Sequence, residues 1–121
     1  MSEQRTSDQL TFARLREVSW GRAQHWHDGK PWSASDWMTA TLGELGEAAN
    51  VIKKLNRIRD GLPGNKPGVT EATLRADLAE ELADTLIYLD LLAAAVGVDL
   101  GAAVRAKFNA TSERLGFSEQ L

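Results

Sequence analysis

The chain contains no cysteine, which excludes disulfides, thiolate zinc centres and thiol nucleophiles together. Histidine is nearly as scarce: His25 and His27 are the only two, and neither sits at a spacing that would build an imidazole metal site. An excess of positive charge is also missing. Fourteen Lys and Arg stand against seventeen Asp and Glu, for a net charge of -3, so a broad basic surface for nucleic acid is not expected. The most apolar stretch, 82–98, is interrupted by Asp84 and Asp90, which argues against a membrane span. The first eight residues lack the apolar core of a signal peptide. A soluble, cytoplasmic protein is the expectation.

What is present suits one globular domain over residues 1–121, with 43% hydrophobic and 26% charged residues. Ser7 and Asp8 are placed to cap a first helix running to about Trp26, with Phe12, Leu15 and Val18 as its apolar stripe. Ser35 or Asp36 is placed to cap a second, in which Met38, Thr41, Leu45, Ala48, Ile52 and Leu55 recur at alternating spacings of three and four. It should stop near Asp60-Gly61. Residues 60–69 gather glycine, proline and asparagine and read as a long loop, either a plain connection or a flap carrying Lys66 over a ligand. Thr70 caps a third helix to about Val96, Gly97 ends it, and Asp99 caps a fourth to about Leu115. With no alternating strand pattern, the expected fold is all-α, a four-helix bundle.

The third helix carries two apolar rows. Leu82, Leu86, Leu89, Ala93 and Val96 form one; Leu74, Leu78, Glu81, Tyr88 and Leu92 form the other. Glu81 therefore occupies a position that should face the core. The surplus of apolar residues around this helix predicts enclosure by neighbours or by another subunit.

Two short motifs carry the chemistry. Glu44-Leu45-Gly46-Glu47 on the second helix and Glu81-Leu82-Ala83-Asp84 on the third each put two acids three residues apart, hence on one helical face. If the two helices pack together, four carboxylates converge. Unmatched, they would repel each other or take up protons; a bound divalent cation resolves this, and all-oxygen ligands select a hard ion such as Mg²⁺, with Mn²⁺ as substitute. Two plainer readings compete, a solvated acidic face and salt bridging by Arg75, Arg105 or Arg114. Gly43 and Gly46 remove side-chain bulk beside the first motif, which would let a helix or ligand approach closely. Lys54 shares a row with Glu47 and Val51 and is the candidate cation on the second helix for a substrate phosphate.

These motifs, followed by Lys107-Phe108-Asn109 on the last helix, resemble the all-α nucleoside triphosphate pyrophosphohydrolases, the MazG-like and dCTP/dUTP pyrophosphatase superfamily, over about residues 35–117. The resemblance implies a four-helix bundle of the MazG-like type with Glu44, Glu47, Glu81 and Asp84 on Mg²⁺. It implies that Tyr88 shapes a nucleotide pocket and that Lys107 and Asn109 lie near phosphates or sugar. Hydrolysis of the α/β phosphoanhydride of a nucleotide such as dUTP, dCTP or a non-canonical triphosphate would follow, with Glu47 orienting or deprotonating the water. A homo-oligomer, dimer or tetramer, is implied as well. Lys53-Lys54-Leu55 stands where some dCTP-hydrolysing relatives carry a base-stacking tryptophan, so base preference is not implied. Phosphoribosyl-ATP hydrolysis and a noncatalytic nucleotide-binding or interaction protein are the alternatives.

All four tryptophans, at 20, 26, 32 and 37, fall around the first connection. Core packing, interface anchoring and base stacking are all open to them.

Overall fold

A computed structural model describes residues 9–121. Four helices account for most of them: α1 (Phe12–Trp26), α2 (Ala34–Asp60), α3 (Glu71–Ala95) and α4 (Leu100–Leu115). No strand occurs among the described residues, so the expected all-α class is the observed one. No single helix is long and apolar enough to cross a membrane. The described residues divide into two compact units, one made of 9–31 with 90–121, the other of 32–89.

In the first unit, Thr11 caps α1 by accepting from the Arg14 amide at 3.1 Å. The expected caps Ser7 and Asp8 lie outside the described residues, and residues 9–11 are not helical. The expected stripe is displaced as well: Ser19 and Ala23 are buried, whereas Phe12 and Val18 remain exposed. The reason is a polar anchor. Arg16 donates two hydrogen bonds to the fully buried Asp90, at 3.0 and 3.1 Å, and a third to the Val98 carbonyl at 2.6 Å. An uncompensated carboxylate in that position would be strongly unfavourable, so the pair fixes which face of α1 turns inward. Asp99 caps α4 through the Ala102 amide, as expected, and Gly116 ends the helix in the left-handed region. Gly101 is needed for closeness: a Cβ there would lie 2.9 Å from Cβ of Phe12.

In the second unit, α2 begins two residues earlier than the expected caps allow. Ser33 is the cap, and Asp36 closes the reciprocal box from the third helical position. Hydrogen bonds from the Ser33 backbone and side chain hold the Asp36 carboxyl below its ordinary range. Gly61, at φ 65°, ends the helix where expected. The buried residues of α2 are Trp37, Thr41, Ala48 and Val51. Thr41 and Ala48 belong to the expected row, but Met38, Leu45 and Ile52 stay exposed.

The connection between α2 and α3 is fastened down. Asn65 donates from its amide to the Lys54 carbonyl at 3.0 Å and accepts from Arg57 at 3.3 Å. These contacts favour the plain connection over a flap, and Lys66 is exposed on it. Thr70 caps α3 as expected, its hydroxyl accepting from the Thr73 amide. Of the two rows on α3, the one through Leu74, Leu78, Glu81, Tyr88 and Leu92 is buried or half-buried; Leu82, Leu86, Leu89 and Val96 of the other are exposed.

Candidate metal and nucleotide site

Trp37 and Tyr88 set the register of α2 against α3, with ring centroids 6.1 Å apart. Glu44 lies seven residues after Trp37 and Glu81 seven before Tyr88, two turns along each helix. In an antiparallel pair this spacing brings Glu44 level with Glu81. Carboxylate oxygens of Glu44, Glu81 and Asp84 all lie within 4.8 Å of one another.

The electrostatics of the group are those of crowded acids. Hydrogen bonding to Glu47 and Glu44 pushes the Glu81 carboxyl up to about 7, with burial and the charges of the same two acids adding to the effect. Burial raises the Glu44 carboxyl, the charges of Glu47 and Asp84 raise it further, and its hydrogen bond with Glu81 opposes them. Oε2 of Glu81 is sealed from solvent and has no hydrogen-bond partner. Among the described residues no Lys or Arg forms an ion pair with these four acids; Arg75 is taken by Glu71 at 3.0 Å. The salt-bridge reading therefore fails for Arg75. Acceptor-only oxygens from two helices, one of them orphaned, are a donor set that fits a hard divalent cation.

An aromatic run extends from the acids within the same unit. Tyr88 meets Trp37, and Trp37 meets Trp32 at a centroid distance of 4.6 Å. Trp37 is buried, Tyr88 half-buried and Trp32 partly exposed. Of the four tryptophans, these two belong with the acids and Trp20 and Trp26 fall in the other unit. The signal was available in the sequence as the seven-residue offsets from Glu44 and Glu81.

Lys54 is exposed on α2, two turns past Glu47, with its carbonyl used by Asn65. Lys107 and Asn109 belong to the other unit. Lys107 borders an open groove with Val104, Phe108, Phe117 and Glu119. Asn109 is already engaged: it accepts from the Leu121 amide at 2.8 Å and donates to the Leu121 carbonyl at 3.4 Å, fastening the segment after α4.

An all-helical chain with Glu-x-x-Glu and Glu-x-x-Asp facing each other on antiparallel helices has the features expected of the all-α nucleoside triphosphate pyrophosphohydrolase superfamily. No family model matches the chain. Comparison with curated proteins bears out the resemblance: the chain is 40% identical over 77 residues to dCTP pyrophosphatase 1 of Rattus norvegicus and 42% identical over 77 residues to dCTP pyrophosphatase 1 of Homo sapiens. Each match covers 64% of this chain and 42% of the relative, so the chain spans less than half the length of either.

Proposed function

We propose that the chain is a divalent-metal-dependent nucleotide pyrophosphohydrolase of the dCTP/dUTP type, cleaving between the α and β phosphates to give a nucleoside monophosphate and pyrophosphate. The observation that carries this reading is the cluster of Glu44, Glu81 and Asp84 around the orphaned Oε2 of Glu81, on a chain similar to dCTP pyrophosphatase 1.

Glu44, Glu47, Glu81 and Asp84 would hold the metal, Mg²⁺ or Mn²⁺. When bound, such an ion supplies positive charge for the phosphate oxygens and acidifies coordinated water. Glu47 is the most exposed member on α2, which suits it to accept a proton from the attacking water while Glu44 and Glu81 stay within the cluster. Tyr88, beside Trp37, would bound the nucleotide site. Lys54 would offset phosphate charge, and the resemblance assigns Lys107 and Asn109 to substrate as well. Removal of unwanted deoxynucleotides from the pool, by a cytoplasmic homo-oligomer, is the role this activity would serve.

Pyrophosphate release from a panel of dCTP, dUTP, other nucleoside triphosphates and phosphoribosyl-ATP, with Mg²⁺ and with chelator, tests the reading. Metal-dependent release from a deoxynucleoside triphosphate is expected. Preference for phosphoribosyl-ATP would redirect it, and tight nucleotide binding without turnover at any Mg²⁺ or Mn²⁺ level would replace it with a noncatalytic binding protein.

A further inference from the structure

The segment after α4 turns back onto the helix it leaves. Gly116, at φ 78°, reverses the chain, and the Phe117 amide donates to the Ser112 carbonyl at 2.8 Å. Extended chain covers up to about 17 Å in five residues, whereas Asn109, seven residues before Gly116, is roughly 10 Å back along the helix. Leu121 therefore has the reach to meet Asn109. Its amide donates to Asn109 Oδ1 at 2.8 Å, and its carbonyl accepts from Nδ2 at 3.4 Å. Both polar atoms of this carboxamide are thus engaged by one residue of the segment.

The same segment borders the groove that holds Lys107. Phe117 and Glu119 line that groove together with Lys107 and Phe108, and Lys107 forms no ion pair among the described residues. Residues 117–121 thereby bring an anion into the groove of Lys107 and a donor and an acceptor to Asn109. A nucleotide presents the same kinds of group. Little else fastens the segment, because residues 116–121 are all exposed. A surface hydrogen bond of this kind shifts an equilibrium by only about 2–10-fold on net, so the segment can lift without unfolding α4.

We propose that residues 117–121 are an autoinhibitory strap, which occupies Asn109 and keeps Glu119 in the groove of Lys107 until a nucleotide takes their place. The proposal rests on the assignment of Lys107 and Asn109 to substrate under the nucleotide reading. Substrate binds only chains whose strap has lifted, and its apparent affinity is reduced by that fraction.

Leu121→Pro is the test, since proline removes the N–H that Asn109 accepts and changes no residue assigned to substrate. KM for the nucleotide that the substrate panel selects should fall about 2–10-fold with kcat unchanged. Glu119→Gln should lower KM as well, and Leu121→Pro should have no effect in an Asn109→Ala background. A tail that merely braces α4 would instead lower the melting temperature and leave KM unchanged or raised, and that result overturns the proposal. A second readout needs no turnover: amide hydrogen exchange by NMR on the full chain, with Mg²⁺ and the non-hydrolysable α,β-imido analogues of dCTP and dUTP. The Leu121 amide should be protected in the free protein and exchange faster when an analogue binds. Turnover with a Leu121 amide that stays protected in the bound complex overturns the strap and leaves the nucleotide reading standing. Neither binding nor turnover of any nucleotide overturns both.

Discussion

Trp37 and Tyr88 stand to each other as Glu44 stands to Glu81: one pair of rings and one pair of acids, two turns apart on the same antiparallel helices. The buried indole of Trp37 supplies packing that holds the register, and the acids take their proximity from it. Removal of the ring should thus reach the acids. Trp37→Ala is expected to destabilise the fold by about 3–5 kcal/mol and to weaken Mg²⁺ binding measured by calorimetry.

Glu81 combines the most crowded carboxyl with an oxygen sealed from water. Glu81→Gln keeps the shape while replacing one acceptor oxygen with a donor. Turnover should fall by at least about 100-fold with the circular dichroism spectrum unchanged, and activity near that of the parent would remove Glu81 from the site.

The same carboxyl predicts a pH dependence. Its pKa rises from 4.5 unfolded to about 7 folded, so the folded state binds the proton more tightly. The associated stability is fully present below pH 4.5 and is lost as pH rises through about 7. In chelator, the melting temperature should decline between pH 5 and 8, and Glu81→Gln should flatten that decline. Added Mg²⁺ at pH 8 should restore the melting temperature of the parent, as a ligand of the folded state does.

Asp90 tests the anchor in the other unit. Arg16→Ala would leave this buried carboxylate without its bidentate partner, at a cost of about 3–5 kcal/mol. Chemical denaturation of Arg16→Ala, Asp90→Ala and the double variant measures the coupling. A double variant no worse than Arg16→Ala alone is the expected pattern, because the penalty comes from the stranded charge.

Gly101→Ala puts a methyl 2.9 Å from the Phe12 Cβ. The loss should be about 1–3 kcal/mol. Phe12→Ala should not relieve it fully, since the Cβ it retains is the nearest atom; a complete rescue would show that the ring, and not the backbone spacing, is limiting.

The helix ends were legible wherever one residue decides them: Gly61, Thr70 and Asp99 all act as their chemistry dictates. The start of α2 was not, because Ser33, Ser35 and Asp36 are all competent caps and only the reciprocal geometry of Ser33 with Asp36 selects among them. Periodicity located the amphipathic helices but misplaced the inward face of α1 and part of that of α2. On α2 the leucine stripe is more hydrophobic than the one containing Trp37, Thr41 and Ala48, yet it is the latter that is buried. A sequence pattern reports apolarity and not which partner covers it. The four acids could be named from their spacing, and the row assignment of Glu81 anticipated its burial. The Asn109 contact with Leu121 could not be foreseen, since a main-chain partner leaves no trace in residue identity.

The matched two-turn offsets have a consequence for how this hairpin can vary. Replacing a side chain between Trp37 and Glu44 changes a local contact, whereas inserting or deleting one residue there would swing Glu44 by about 100° relative to the aromatic pair. The same holds between Glu81 and Tyr88. Length in these two segments is therefore far less negotiable than composition, and compensating indels would restore the match only if the two were equal and each came close to a whole number of turns.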